Sequence, residues 1–223
     1  MFKKLIIAAI SASFVASAAF ADSTNVGFRI STGNLAASGK ETTNSATTVT
    51  QTEKDASFEM GSIFVERQIE TTDKFNITLG LDFVPITADI TKLDGGDGFD
   101  ATVSAGNLLT AYVQPTFNIT DTISIFGKVG LAKGDLQISE ISRQATAAGN
   151  GTASTDVGPE KSLEGMVYGI GAQMNRSFGA FDFIRLEATQ TDFDKISHTN
   201  SNSKKLTADA EMQLITLSIG KSF

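Results

Sequence analysis

Strict alternation of apolar and polar residues over ten positions is the feature that most constrains how this chain can fold. In the stretch KFNITLGLDF (residues 74–83), Phe, Ile and Leu occupy every odd-numbered position, and Lys, Asn, Thr, Gly and Asp occupy the even-numbered ones. Successive side chains of a β-strand point to opposite faces, so this period of two predicts a strand with one apolar face. An amphipathic helix would instead repeat its apolar residues at intervals of three and four.

Seven further stretches show a similar alternation, so the sequence predicts eight strands. The connections after the second, fourth and sixth strands are tight (ETTDK, TDT and NRSFG), whereas the others are long and rich in Ser, Thr, Gly and Asn. We expect the long loops at residues 36–56, 91–105, 139–160 and 191–208. Tight turns on one side and long loops on the other are typical of an up-and-down barrel that crosses a membrane.

The first residues have the features of a secretory signal peptide. Two lysines at 3–4 precede an apolar run over 5–15, and Ala-Phe-Ala at 19–21 forms a small-x-small cleavage site. We therefore predict a signal peptide over 1–21 and a barrel domain over 22–223. An uncleaved anchor helix is the alternative, and it is disfavoured because the strictly apolar core is short for a membrane span.

Composition excludes several classes of function. Asp and Glu (25) outnumber Lys and Arg (18), which gives a net charge of -7, and nucleic-acid phosphates repel an acidic chain. The sequence has no Cys, which excludes disulfides, thiolate metal sites and a Cys nucleophile. No stretch after the leader has about 20 consecutive apolar residues. The exported chain is therefore either soluble or enters a membrane as strands.

The polar faces of the predicted strands carry charged side chains. In a barrel with its apolar face toward lipid, these charges point into a lumen that eight strands leave just wide enough for side chains. Buried charges must be paired, so we predict an internal network that fills the barrel, with a narrow charge-lined pore as the alternative. Gly165, Gly169 and Gly171 are expected to make room for long cationic side chains or for water. The predicted network consists of Arg29, Glu59, Arg67, Asp82, Lys128, Arg185 and Glu187.

Phenylalanine is expected to mark the edges of the apolar band. The chain has 16 Phe, two Tyr and no Trp, so Phe must form the aromatic girdles that flank this band in membrane barrels. At the usual strand rise and tilt, the segment from Phe75 to Phe83 would span roughly 19 Å of membrane. We predict Phe58 and Phe83 near the loop side. Phe75, Phe117 and Phe223 are expected near the turn side, all in contact with outer-membrane lipids.

The eight alternating stretches, the alternating loop lengths and the final strand ITLSIGKSF resemble the small eight-stranded outer-membrane barrels of the OmpA-transmembrane-domain, OmpX and opacity-protein type. Leu217, Ile219, Gly220 and Phe223 are similar to the C-terminal signal that the barrel-assembly machinery recognises in this family. The resemblance implies an all-β, eight-stranded antiparallel transmembrane barrel in the bacterial outer membrane. It also implies a monomer without cofactors, with both termini in the periplasm.

Two positions depart from the family pattern. Lys221 lies where the family often has an aromatic residue. Pro115 falls within the fourth strand, where it has no N–H to donate to a neighbouring strand. We expect a bulge or a lost hydrogen bond at Pro115.

Two segments suggest chemistry, but only weakly. DGGDGFD fits the pattern of calcium-binding repeats and would use Asp94, Asp97 and Asp100, but it occurs once, whereas those repeats bind by stacking. His198, the one histidine, has Ser197 beside it, which raises acyl transfer as in lipid-modifying barrels. The His-x-Ser spacing associated with the barrel deacylases is absent. Solvated loops are the preferred interpretation of both segments.

The function that the predicted barrel implies is structural: a non-enzymatic scaffold that displays extracellular loops. A small transport pore is the main alternative. A lipid-modifying barrel enzyme and a soluble periplasmic β-domain are the others. The loop sequences contain no motif that identifies an extracellular ligand.

Overall fold

A computed structural model describes residues 23–42, 49–85, 88–95, 99–142, 155–157, 161–199 and 205–223. These residues form β-strands and turns. None of them belongs to a helix that is long and apolar enough to cross a membrane. The signal peptide predicted over residues 1–21 lies outside the described residues. The strands are β1 (Ser23–Thr42), β2 (Val49–Thr72), β3 (Phe75–Val84), β4 (Ala88–Gly95), β5 (Phe99–Asn118), β6 (Ile123–Ser142), β7 (Thr155–Val157), β8 (Lys161–Phe178), β9 (Phe181–Phe193), β10 (Ile196–Thr199) and β11 (Lys205–Ser222).

Eight of these strands close into a barrel. The order is β5-β3-β2-β1-β11-β9-β8-β6, and β6 pairs again with β5. Every pairing is antiparallel, and each barrel strand lies next to the ones that precede and follow it in the chain. The prediction of an eight-stranded, antiparallel, up-and-down barrel is therefore confirmed. The short strands β4, β7 and β10 pair with β5, β6 and β11.

The register of the strands sets the tilt of the barrel. A line of directly paired residues that starts at Val26 on β1 returns to the same strand at Ala36, ten residues farther on. This stagger over eight strands tilts them by about 40° from the barrel axis. Each residue along a strand then covers roughly 2.5 Å of the axis, and each step to the next strand shifts the level by about 3 Å.

Apolar side chains form a band around the outer wall. With the stagger taken into account, the band runs from Phe75 to Met166 and is about 24 Å tall, close to the height of the lipid-facing band of membrane barrels. Beyond it, outward positions become polar at Thr32, Gln190 and Gln213. Well-exposed members of the band include Phe28, Ile30, Ile63, Met166, Ile170, Leu186, Ile215, Leu217 and Phe223.

The two ends of the barrel differ as the sequence predicts. At one end, here called the turn end, residues 73–74, 119–122 and 179–180 form the three short connections. Gly179 adopts a positive φ of 66°, which suits a tight turn. Thr24 and Phe223 also lie at the turn end, and each backbone N–H donates to the other residue's carbonyl at 2.9 Å. The opposite end is called the loop end.

The predicted loops at 36–56, 91–105, 139–160 and 191–208 were too long. At the loop end, β1 continues to Thr42 and β2 already begins at Val49. Likewise, β4 and β5 form a hairpin within the second predicted loop, and β6 extends to Ser142. The prediction relied on apolar–polar alternation. That signal is lost beyond the lipid-facing band, although the backbone hydrogen bonding between strands continues.

Glycines on the inner wall make room for aromatic rings. Four such pairs face each other directly across neighbouring strands: Gly27 with Phe64, Gly80 with Tyr112, Gly171 with Phe126, and Gly220 with Phe183. A Cβ at these glycines would lie only 2.1 to 2.6 Å from a ring atom. Each pair belongs to one of the four hairpins that are connected at the loop end. The sequence suggested cations or water beside Gly165 and Gly171. In the structure, the Phe193 ring lies against Gly165 and the Phe126 ring lies against Gly171.

Pro115 interrupts one ladder without changing its register. The pairing of β5 with β6 runs to Val113, opposite Val129, and resumes at Thr116, opposite Phe126. Because proline has no N–H, pairing is lost locally, which is one of the two outcomes expected. The register shift in β5 lies elsewhere, between Gly106 and Leu109, where Asn107 has a φ of 51°.

The glycine–aromatic pairs predict a position-specific effect of adding a methyl group. The Gly80→Ala substitution places its Cβ 2.1 Å from the Tyr112 ring and should lower the free energy of unfolding by about 1–3 kcal/mol. Gly61→Ala is the matched control, because the nearest atom to its Cβ is 3.8 Å away. Urea titrations in lipid vesicles, followed by circular dichroism, would measure both. Equal midpoints for the two variants would contradict the explanation.

Candidate functional site: the barrel lumen

Six buried ionised side chains meet inside the barrel, and we call them the charge network. They comprise three cations and three anions, so their formal charges cancel. Allowing for the stagger, they all lie within about 10 Å of one another along the axis, near the middle of the apolar band. The members are Arg29, Glu66, Asp82, Lys128, Arg185 and Glu187.

Glu66 on β2 is the centre of the charge network. It is fully buried, and Arg185 of β9 binds it with two parallel hydrogen bonds, Nη1 to Oε1 at 2.6 Å and Nη2 to Oε2 at 3.0 Å. This two-pronged geometry is the strongest that a guanidinium and a carboxylate form. The remaining donors of Arg185 are oriented by Gln173 of β8, whose Oε1 accepts from Nε at 3.0 Å and from Nη2 at 2.7 Å.

Arg29 on β1 joins the other strands to Glu66. Its Nη2 donates to the Tyr112 hydroxyl at 2.6 Å and to Glu66 Oε1 at 3.2 Å. The Tyr112 hydroxyl in turn donates to Glu66 Oε1 at 2.5 Å. The Nη1 of Arg29 donates to Asp82 of β3 and lies 3.9 Å from Glu187 of β9. The interactions of Arg29 and Arg185 thus link β1, β2, β3, β5, β8 and β9 through the lumen.

The aromatic rings beside the inner glycines surround the cations. Lys128 donates to Glu187, and its Nζ lies 4.4 Å from the centroid of the Tyr112 ring. Arg29 lies 4.4 Å from the Phe64 centroid. Arg185 lies 5.1 Å from the centroid of Phe183 and 5.3 Å from that of Phe126. At these distances the ring faces attract the cations, so the glycine–aromatic pairs also support the charge network.

The lumen changes character on either side of the charge network. Toward the turn end it is polar, with Asn25, Asn76, Thr78, Gln114, Thr116 and Ser124 buried. Toward the loop end the described inner side chains are apolar, apart from the buried Thr191. We call this second region the apolar layer; it consists of Leu35, Phe58, Met60, Val84, Leu108, Ala132, Leu163, Val167, Phe193, Met212 and Leu214. The expectation that polar side chains line the whole lumen is therefore wrong for the loop-end half.

Comparison with known proteins identifies the family. The family model "Outer membrane protein beta-barrel domain" matches residues 7–223. The chain belongs to this family. Membership of this family places the barrel in the bacterial outer membrane, where its apolar band faces lipid. No curated protein sequence matches the chain.

Several solved barrels are similar to this one at low sequence identity. Ail, the attachment invasion locus protein of Yersinia pestis, is 14% identical, with 89% of this chain and 98% of Ail covered at a TM-score of 0.37. The N-terminal β-barrel domain of Pseudomonas aeruginosa OprF is 11% identical, with 86% and 97% covered at 0.36. The outer membrane protease OmpT from Escherichia coli is 8% identical, with 92% and 99% covered at 0.42.

The structure brings together five of the seven charges assigned to the lumen from the sequence. The assignments of Glu59 and Arg67 to the lumen were wrong. Within β2, Phe64 and Glu66 are buried and Ile63 is exposed, so odd-numbered residues face outward. Glu59 is exposed, and Arg67 lies on the outward side of β2 in the turn-end half of the band. Placing Glu59 and Arg67 in the lumen requires Phe64 to face lipid, which reverses the two faces of this strand and conceals Glu66. Ile63, an apolar residue at an odd-numbered position, was the signal of the true outer face.

The same reversal affects the aromatic girdle. Phe58 points inward and packs against the apolar layer, so its assignment to the girdle was wrong. The structure places Phe75, Phe83, Phe117 and Phe223 on the outer wall.

Residues of the last strand have contrasting environments. Leu217 and Ile219 face outward, whereas Gly220 faces inward against the Phe183 ring. Lys221, noted as a departure from the family pattern, binds Asp182 at 2.9 Å. The role of Leu217, Ile219, Gly220 and Phe223 as an assembly signal stays a prediction.

The described residues among those considered for metal binding and acyl transfer lie beyond the band. Asp94 and Asp100 pair across the β4–β5 hairpin, and Asp97 lies outside the described residues. Among the side chains that the structure describes, no group of three or more His, Asp or Glu residues is placed to hold a metal ion. His198 is part of β10, opposite Leu206 of β11.

Two glutamates on β2 allow a matched test of the charge network. Glu66→Gln removes the charge that pairs with Arg185 and Arg29, so it should lower the free energy of unfolding by about 3–5 kcal/mol. Glu59→Gln, on the exposed side of the same strand, should change it by less than about 0.5 kcal/mol. Urea denaturation followed by the heat-dependent gel mobility of folded barrels would measure both. A Glu66→Gln protein as stable as the Glu59→Gln control would show that the network does not stabilise the barrel.

Proposed function

We propose that this protein is a closed, non-enzymatic scaffold of the outer membrane that displays its loop-end strands to the cell exterior. The observation that carries the proposal is the charge network, in which Arg185 and Arg29 meet Glu66 inside the lumen. Ion pairs cross the lumen from β1 and β2 to β9, and the formal charges of the network cancel. A wall of eight strands leaves little further space.

The charge network opposes ion flow for two physical reasons. A passing ion would have to displace the Arg185 guanidinium, which donates two hydrogen bonds of 2.6 and 3.0 Å to Glu66. Separating such a pair leaves each partner as an uncompensated buried charge, which is strongly unfavourable. The aromatic rings against the cations further reduce the mobility of these side chains.

The orientation follows from the two ends of the barrel. Membrane barrels of this class have short turns on the periplasmic side and longer segments outside. We therefore assign the turn end, with Thr24 and Phe223, to the periplasm. The loop end, with the extensions of β1, β2, β5 and β6 and the short strands β4, β7 and β10, would form the surface for extracellular contacts. The expected partners are outer-membrane lipids around a monomer and the barrel-assembly machinery during insertion.

A narrow pore is the second candidate, and the polar half of the lumen favours it. Asn76 Oδ1, Gln114 Oε1 and Ser124 Oγ are buried and find no hydrogen-bond partner among the described residues. Buried polar atoms of this kind are usually satisfied by water. A hydrated turn-end half would become a conducting path if the rest of the lumen opened.

Single-channel recording distinguishes the two functions. The refolded protein in a planar bilayer should show no discrete openings, because the charge network blocks the lumen. Protease protection of the inserted barrel verifies insertion, and an open porin recorded in the same bilayers verifies detection. Steady openings of the unaltered protein would overturn the scaffold and favour the pore.

A further inference from the structure

We infer that two barriers, the charge network and the apolar layer, close the lumen at different levels. The apolar layer is the one that seals it against the cell exterior. This inference rests on the proposed closed scaffold. It adds a second barrier, at a different level of the barrel and of different chemistry. The two barriers should respond to different substitutions.

All eight barrel strands contribute to the apolar layer. Leu35 on β1, Val84 on β3 and Ala132 on β6 are buried, as are Phe193 on β9 and Met212 on β11. The remaining barrel strands, β2, β5 and β8, provide inward apolar side chains at the same levels. The layer therefore forms a complete ring, whereas a patch on one side of the wall would leave a path beside it.

The apolar layer is packed tightly. Gly33 and Gly165 provide the space for its large side chains. A Cβ at Gly33 would lie 2.8 Å from Leu214 Cδ2, and one at Gly165 would lie 2.8 Å from Phe193 Cδ1. Two inner-wall glycines are thus needed to let Leu214 and Phe193 occupy the lumen.

The two barriers are separated along the axis. From the stagger, the apolar layer begins about 4 Å above the uppermost charge of the network and continues for about 10 Å toward the loop end. Between them, Ser31 of β1 and Thr216 of β11 form a hydrogen bond of 2.7 Å and are both buried. These hydroxyls lie between the two barriers, so a label at this level reports whether a reagent has passed one of them.

The physics of the apolar layer differs from that of the charge network. A narrow constriction lined by apolar side chains, with the buried Thr191 as its one described polar side chain, offers water few hydrogen bonds. It therefore excludes hydrated solutes without any charge. Breaking ion pairs below the layer does not change this property. Replacing its large apolar side chains by small polar ones does, because the space widens and water gains partners.

Cysteine labelling at Ser31 tests the inference directly. The natural chain has no Cys, so Ser31→Cys introduces a single thiol between the two barriers. The protein is inserted into vesicles with the loop end outside, and a membrane-impermeant maleimide is added to the exterior. Denatured protein defines full labelling, and heat-dependent gel mobility identifies folded barrels. The thiol should be unreactive in the folded Ser31→Cys protein.

Two added changes should then give opposite results. Phe193→Ser with Met212→Ser opens the apolar layer, so labelling from the loop end should rise toward that of denatured protein. Glu66→Gln disrupts the charge network and should leave external labelling near zero. If either protein fails to fold, Met212→Ser alone replaces the first change and Lys128→Met the second.

Three results would overturn the inference: external labelling of Ser31→Cys alone, external labelling produced by the charge-network change, or no labelling after the apolar layer is opened. Failure of the proposed function would be distinguishable, because it appears as channel openings of the unaltered protein. A barrel without channel openings whose Ser31→Cys thiol is labelled from outside would refute the apolar seal and leave the scaffold standing.

Discussion

Closure of the sheet is the constraint on which the rest of this structure depends. Hydrocarbon offers no hydrogen bonds to exposed backbone groups, so strands in a membrane must pair on both sides until the sheet meets itself. Here the β5–β6 and β1–β11 pairings complete the ring. Eight strands and a ten-residue stagger then fix a lumen so narrow that inner side chains from strands on opposite sides must touch.

The narrow lumen explains why charged side chains, aromatic rings and glycines occur together inside the barrel. Buried ions are tolerated only when paired, and the equal numbers of cations and anions around Glu66 meet this requirement. The rings of Phe64, Tyr112, Phe126 and Phe183 fill the space between the charges, and each needs a glycine on the adjacent strand to fit. The apolar layer closes the loop-end half, and none of its side chains that the structure describes is charged.

The sequence predicted much of this because lipid and strand geometry impose a simple pattern. The third strand, whose apolar residues alternate without exception, was placed correctly with its Asp82 in the lumen. The second strand was reversed because Phe58, Met60 and Phe64 look lipid-facing, although all three point inward. Their true environment is set by residues on other strands, Gly27 for Phe64 and the apolar layer for the other two. Within the strand itself, Ile63 alone signals the true outer face.

By itself, the sequence determined the class of fold, the number of barrel strands, the turn end and the lumen as the site of paired charges. These follow from local periodicity and from the cost of placing charges in lipid. Only the tertiary structure decided which charges meet, because barrel closure and stagger bring Arg29 and Glu66 of the first hairpin to Arg185, which lies 119 residues after Glu66 in the chain. It also decided that an apolar ring lies above them, since an inward leucine on one strand becomes part of a layer only when seven other strands contribute at the same level.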